Sequence, residues 1–192
     1  MKGEFFRKTI HITAGLIFLL LHWKGYLTIW ILSGAFLIAL IVTVVASSNI
    51  SKHFTSLITR IERPGRIKGI SGVTYMVGVM LAFILFSQEQ VFAAAIIVLT
   101  LGDGFSGLVD HYYGKKKLFY NKKKSVEGLL TGVLASTAGV MLLFPWYIAL
   151  AGSVITLLIE TLPLKILGWE VDDNLLVPLI SGAFFYACLG CV

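Results

Sequence analysis

Seven apolar runs, near residues 9–23, 27–46, 70–87, 90–109, 126–144, 146–163 and 173–191, leave little room for anything else in a chain of 192 residues. Most approach the ~20 helical residues needed to cross a hydrocarbon slab about 30 Å thick. The chain is 57% apolar and only 14% charged. Ordinary soluble domains sit near 45–50% and about 25%, so a water-soluble globule of this size could not cover its apolar surface. The same composition excludes disorder, and two cysteines three residues apart exclude a disulfide scaffold. Alternation at strand spacing is missing, which argues against a β-barrel. The expected fold is all-α: a polytopic membrane helical bundle of about seven transmembrane helices, one domain over residues 1–192. The first run carries His11 and no convincing small-residue cleavage site, so it is read as a retained span rather than a signal peptide.

Charge then orients the bundle. If the N-terminus is cytoplasmic, fifteen of the sixteen basic residues fall inside and only Lys24 falls outside. The net charge of +6 is therefore read as topology and attraction to anionic lipid, not as a nucleic-acid surface, since there is no soluble basic module. A multi-pass cell-membrane protein with its chemistry on the cytoplasmic side is the expected outcome. Within residues 52–63, Phe54, Leu57, Ile58 and Ile61 make an apolar stripe at helical spacing, read as an interfacial helix on the inner leaflet or a structural linker.

Acidic residues are more informative. Asp103, Asp110, Glu127, Glu160, Glu170, Asp172 and Asp173 all fall in, or at the inner ends of, spans four to seven. Asp103 and Glu160 lie inside apolar runs, where a charge costs roughly 2.5–3.5 kcal/mol on insertion scales, so something must compensate them. Pairing with a lysine or arginine that merely locks the bundle is the plain alternative to a functional role. The segment Gly102-Asp103-Gly104-Phe105-Ser106-Gly107 to Asp110 puts Asp103, Ser106, Gly107 and Asp110 on one helix face. Its glycines leave room for another backbone or for a ligand.

A lysine loop follows, with Lys115 to Lys117 and Lys122 to Lys124 ahead of Ser125-Val126-Glu127-Gly128. Ser125 is an expected N-cap, and the free amides behind it, with Lys124, suit an anionic phosphate. Glu127 would repel a bare phosphate, so it either shares a bridging divalent cation or serves only the helix dipole. Gly128 and Gly132 form a small-residue pair suited to packing. No Walker-type stretch is present. Finally, Glu160 with Asp172, Asp173 and Asn174 makes an all-oxygen set of the kind that holds Mg²⁺, although either aspartate could simply cap the last span.

Three stretches together resemble the CTP-dependent polyprenol kinases, the family of dolichol kinase, phytol kinase and the yeast-type diacylglycerol kinase. They are Arg7-Lys8-Thr9-Ile10-His11; Gly102-Asp103-Gly104-Phe105 through Gly114-Lys115 to Ser125; and Glu160-Thr161-Leu162-Pro163 with Asp172-Asp173-Asn174 and Pro178. The middle stretch looks most like phytol kinase. It departs from the family in carrying Asp110-His111-Tyr112-Tyr113 where a glycine and arginines are usual, which leaves Lys115 to Lys117 to take over phosphate contacts. The resemblance implies transfer of the γ-phosphate of CTP to an isoprenoid alcohol or diacylglycerol, with Mg²⁺ or another divalent cation. It also implies roles: Asp103, Lys124 and His11 in catalysis, Arg7, Lys8, Gly102, Gly104, Lys115, Lys124, Ser125 and Gly128 at the nucleotide. Asp103, Glu127, Glu160, Asp172 and Asp173 would hold the metal.

Two alternatives stand beside it. A phosphatidate cytidylyltransferase also combines CTP with glycine, acid and lysine-rich motifs, but its usual Lys-Asp, His-Gly-Gly and Asp-Arg ending is missing here. A small transporter would need polar groups near the midplane, whereas these charges crowd one side. Asn49-Ile50-Ser51 is discounted as a glycosylation sequon on the cytoplasmic side, and the Cys188/Cys191 pair is read as packing rather than zinc binding.

Overall fold

The computed structural model describes residues 2–48, 50–62, 65–166 and 169–191. The chain is largely helical among them: α1 (Lys2–Trp23), α2 (Ile29–Ser47), α3 (Lys52–Ile61), α4 (Ile70–Leu85), α5 (Glu89–Ile97), α6 (Gly104–Tyr112), α7 (Val126–Val140), α8 (Trp146–Thr161) and α9 (Asp173–Cys188). A π-helical stretch, Val98–Asp103, joins α5 to α6, so Glu89–Tyr112 is one helical rod of 24 residues. Among the described residues extended pairing is confined to β1 (Lys165–Ile166) against β2 (Trp169–Glu170) and a single bridge between Lys117 and Ser125. Arg63 of the basic tally and Asn49 of the sequon lie outside the described residues, as do the side chains of Lys2, Glu170 and Cys191.

Among the described residues three helices are long and apolar enough to cross a membrane, namely Gly3–Trp23, Ile29–Ser47 and Glu89–Tyr112. The four others expected to span, α4, α7, α8 and α9, are apolar but only 15 or 16 residues long. Local chemistry trims them. Past Val140 the chain tightens into turns ahead of Pro145, which starts α8. Pro163 lies just beyond the end of α8, where it cannot continue the helix. Asp172 sets the start of α9 by accepting the Asn174 amide at 3.1 Å. The amphipathic segment expected near 52–63 is α3, capped by Ser51 and docked on α1 and α2.

Glu89–Tyr112 is the axis of the bundle. Val91 through Leu99 are fully or almost fully buried, and α1, α7, α8 and α9 pack around them. Large apolar side chains also face outward, among them Phe6 on α1, Ile38 and Ile41 on α2 and Leu134 on α7, each more than half exposed. An apolar core inside an apolar exterior is the arrangement expected of helices surrounded by lipid. The beginnings of α1, α4, α7 and α9 and the ends of α6 and α8 meet at one end of the bundle, and the buried charges collect there.

Candidate active site

Lys8, one of the largest fully buried side chains, reaches from α1 across to the end of the π stretch. Its ammonium donates to both carboxylate oxygens of Asp103, at 2.8 and 2.7 Å, and to the Asp103 carbonyl at 2.8 Å. This is the compensation that an acid within an apolar helix requires. One turn further along α1, His11 Nε2 lies 2.9 Å from the Leu99 carbonyl and 3.6 Å from Asp103 Oδ2. A carbonyl can only accept, so Nε2 carries the proton and donates it. That nitrogen is not a free base, and any proton-accepting role for His11 falls to Nδ1. The path of Lys8 depends on Gly107: a Cβ there would strike the Lys8 side chain.

A second ionic group adjoins the first. Lys124 pairs with Glu160 and lies 3.8 Å from Asp173 Oδ2. Burial by itself would push the Lys124 ammonium down, but the carboxylates of Glu160, Asp173 and Asp103 outweigh it and hold the group well above the usual lysine range. One oxygen from each of Asp103, Glu160 and Asp173 falls within 4.8 Å of the others. Three hard oxygen donors so close together, from three separate helices, fit Mg²⁺ or a similar divalent cation.

The lysine loop is shaped by its own backbone. Leu118 donates to the Lys124 carbonyl at 3.0 Å, and Val126 to the Lys116 carbonyl at 3.0 Å. Tyr120 and Asn121 tie the loop to Thr161 at the end of α8, each at 2.8 Å. At its base, Asp110 Oδ1 accepts both the amide and the hydroxyl of Ser125 at 2.6 Å. The result is a cavity of about 730 Å³ lined by Arg7, Lys8, Arg66, Lys117, Lys122, Lys123 and Lys124, with Glu160 and Asp173 among its acids. A second cavity, about 430 Å³ and mostly apolar, lies on the other side of α1 and shares Arg7 with the first.

Several expected site residues are engaged elsewhere. Glu127 is not with the other acids; it accepts from the Lys116 amide at 3.1 and 3.2 Å, closing the lysine loop onto α7. Asp172 caps α9 and pairs with Arg66, so of the two adjacent aspartates only Asp173 joins the cluster. Ser125 caps α7, accepting the Gly128 amide at 3.1 Å, while its hydroxyl proton goes to Asp110, which leaves it poorly placed for phosphate. Lys115 is absent from the cavity wall, where Lys117 stands instead. Gly102 and Gly104 were expected at the nucleotide; their missing side chains instead admit Leu157 and Ile12, the nearest atoms to a Cβ at 3.3 and 2.6 Å. Gly128 similarly admits Asp110. Arg7, Lys8, His11, Asp103, Lys124, Glu160 and Asp173 are the expected residues that the fold brings to one place. Arg66, which the sequence offered only as a topology signal, lines the cavity with Arg7, Lys8, Lys124, Glu160 and Asp173.

Comparison with known proteins follows the same lines. The chain is 28% identical over 204 residues to the probable phytol kinase 3 of Glycine max, covering 91% of this chain and 60% of that protein. It is 28% identical to the farnesol kinase of Arabidopsis thaliana, covering 91% of this chain and 62% of that protein. For the probable phytol kinase 2 of Oryza sativa subsp. japonica the identity is 29%, with 91% and 63% covered. All three relatives are named chloroplastic. The chain thus spans less than two thirds of the length of the curated relatives it matches. No family model matches, and no solved structure does. Over nine-tenths of its length the chain resembles phytol and farnesol kinases, in agreement with the polyprenol-kinase likeness of its three motifs.

Proposed function

We propose that this chain is an integral membrane lipid kinase that transfers the γ-phosphate of CTP to an isoprenoid alcohol at the cytoplasmic leaflet. In this reading all seven long apolar segments cross the bilayer and the basic end of the bundle faces the cytosol. The observation that carries it is the juxtaposition of three carboxylates, Asp103, Glu160 and Asp173, with a lysine-lined cavity of a size suited to a nucleotide. The likeness to phytol and farnesol kinases supports a prenyl-alcohol acceptor, and the choice of CTP rests on the family resemblance of the motifs.

Phosphoryl transfer asks a protein mainly for positioning and charge stabilisation. Lys124, Lys117, Lys122 and Arg66 would hold the triphosphate, their charges matching the negative charge that builds on the departing diphosphate. Asp103, Glu160 and Asp173 would hold Mg²⁺, which supplies charge neutralisation across the phosphates. Asp103, kept as a carboxylate by Lys8, accepts a hydrogen bond from the acceptor hydroxyl and aims its oxygen at the γ-phosphorus. As the new oxygen–phosphorus bond forms, the hydroxyl proton passes late to an oxygen of the transferred phosphoryl group. The bond from the γ-phosphorus to the β,γ-bridging oxygen breaks, its electron pair leaving on CDP. The products are the prenyl monophosphate and CDP.

The test uses CTP labelled at either the γ- or the α-phosphorus. Purified protein and Mg²⁺ are supplied with phytol, geranylgeraniol, farnesol, dioleoylglycerol and phosphatidate. Label from the γ position in a prenyl monophosphate is expected. Label from the α position in lipid would replace the kinase by a cytidylyltransferase.

A further inference from the structure

The second cavity is an apolar groove between α1 on one side and α2 and α4 on the other. It arises because α1 packs on α5, α6 and α3, whereas α2 packs on α4 and α3, leaving a crevice between the first two helices. Small residues from three helices, Ala14, Ala35, Ala39 and Gly72, widen it. Its outer rim is apolar and open: Ile10 is 52% exposed and Ile38 is 64% exposed. Polar groups stand among the lining at the active-site end of the bundle, where Ser71 donates its amide to Glu62 at 3.1 Å and the Asn174 amide reaches the Ser71 carbonyl at 3.4 Å.

We propose that this groove seats the hydrocarbon chain of the acceptor alcohol, and that Ala39 and Gly72 set how much chain it takes. The proposal rests on the kinase reading and adds to it the acceptor's position and the residues that select it. Two contacts with the phosphoryl-transfer site commit the groove to this occupant. Arg7 lines both cavities, and His11, in the groove wall, lies 3.6 Å from the Asp103 carboxylate. A single-chain alcohol with its tail along α2 and α4 thus has its hydroxyl between Arg7 and His11, with Asp103 behind the His11 ring. The tail enters sideways between Ile10 and Ile38, without leaving apolar surroundings.

Selection here differs from that of a soluble enzyme. Lipid tails are as apolar as the groove, so moving a prenyl chain from bilayer to protein gains almost nothing from the hydrophobic effect. What remains is fit, and fit depends on the narrowest point. Gly72 and Ala39 face each other in the groove wall: a Cβ on Gly72 would meet only the Ala39 Cβ, at 4.0 Å. A Cβ at 72 therefore fits without a clash, and a larger side chain at this lining position takes up groove space beside Ala39. Overfilled apolar sites reject their occupants by roughly five- to a hundredfold.

The experiment measures kcat/KM for geraniol, farnesol, geranylgeraniol and dioleoylglycerol with wild type, Gly72→Ala and Gly72→Phe, using full-length protein in lipid nanodiscs. In Gly72→Phe the ratio of geranylgeraniol to geraniol should fall about tenfold or more, with Gly72→Ala between it and wild type. A fold check runs alongside, the shift in thermal unfolding produced by Mg²⁺ and CTP, which Gly72→Phe should retain. A diazirine-bearing farnesol should photolabel peptides from α2 and α4, with protection by unlabelled farnesol. An unchanged chain-length ratio in a folded Gly72→Phe protein, or protected label confined to other helices, overturns the proposal while leaving the kinase reading intact. Wild type that phosphorylates no prenyl alcohol defeats the kinase reading instead, and the photolabel then reports on the groove alone.

Discussion

Lys8 grips Asp103 at three points, two on the carboxylate and one on the main chain, across 95 positions of sequence. Both side chains are 2% exposed, so neither charge has water to fall back on. Removing one partner of a buried pair costs about 3–5 kcal/mol, chiefly because the other charge is stranded. Lys8→Met should therefore destabilise the bundle by about that much, and Asp103→Asn should restore part of the loss when added to it. Unfolding by a denaturing detergent in mixed micelles would measure both. Strict additivity of the two changes would mean that the pair is not coupled.

Lys124 gives a prediction about pH. Although burial works against its charge, the carboxylates of Glu160, Asp173 and Asp103 hold its pKa above the ordinary lysine value. A group raised in the folded state gives its full stabilisation below the unfolded pKa, about 10.4 for lysine. The contribution is lost only as pH rises through the folded value. Between about pH 6 and about pH 9 the ammonium is thus charged throughout, and Lys124→Met should lower kcat across that whole range, by about 10²–10³. A variant with wild-type kcat at pH 9 would show that the charge of Lys124 is not used there.

Adjacent aspartates should behave differently. Asp173 belongs to the carboxylate cluster, whereas Asp172 caps α9 and pairs with Arg66. Asp173→Asn should raise the Mg²⁺ concentration for half-maximal activity by roughly tenfold or more. Asp172→Ala should cost about 0.5–2 kcal/mol of stability, the usual loss of an N-cap, and leave the Mg²⁺ requirement where it was. Magnesium titrations beside unfolding curves separate the two, and a Mg²⁺ shift in Asp172→Ala alone would exchange their roles.

These residues also show what could be read before the fold. The long helices were legible because a run of apolar residues has one stable answer in lipid, although α8 stops at Thr161, short of the run read to 163. Asp103 and Glu160 stood out because an acid in such a run needs a partner. Which partner was not legible: Lys8 and Lys124 were read as nucleotide contacts, and only the fold, by bringing α1 and the loop to the acids, pairs them with Asp103 and Glu160. Asp172 and Asp173 are chemically the same and adjacent, so only the start of α9 decides which one turns to the capped amide. Glu127 could equally have faced a cation or a backbone amide, and the closing of the lysine loop supplied the amide. Arg66 lies in the linker between α3 and α4, with no periodic pattern to mark its direction.

Gly107 is where the ionic site depends on a missing side chain. A Cβ at this position would overlap the Lys8 side chain near its charged end, and Lys8 has no spare room because its ammonium is fixed by three hydrogen bonds to Asp103. Gly107→Ala must therefore displace either α1 or the Lys8–Asp103 pair. Overpacking of this kind costs about 1–3 kcal/mol. Gly34, in the middle of α2, is the matched control, because a Cβ there meets nothing within 4 Å. Gly34→Ala should leave stability the same or raise it by up to about 1 kcal/mol, since alanine favours helix over glycine. The sharper readout is kcat for prenyl-alcohol phosphorylation, which should fall in Gly107→Ala and hold in Gly34→Ala. Equal activity in the two proteins would mean that Lys8 can leave Asp103 without consequence, and the role given to that pair would have to be withdrawn.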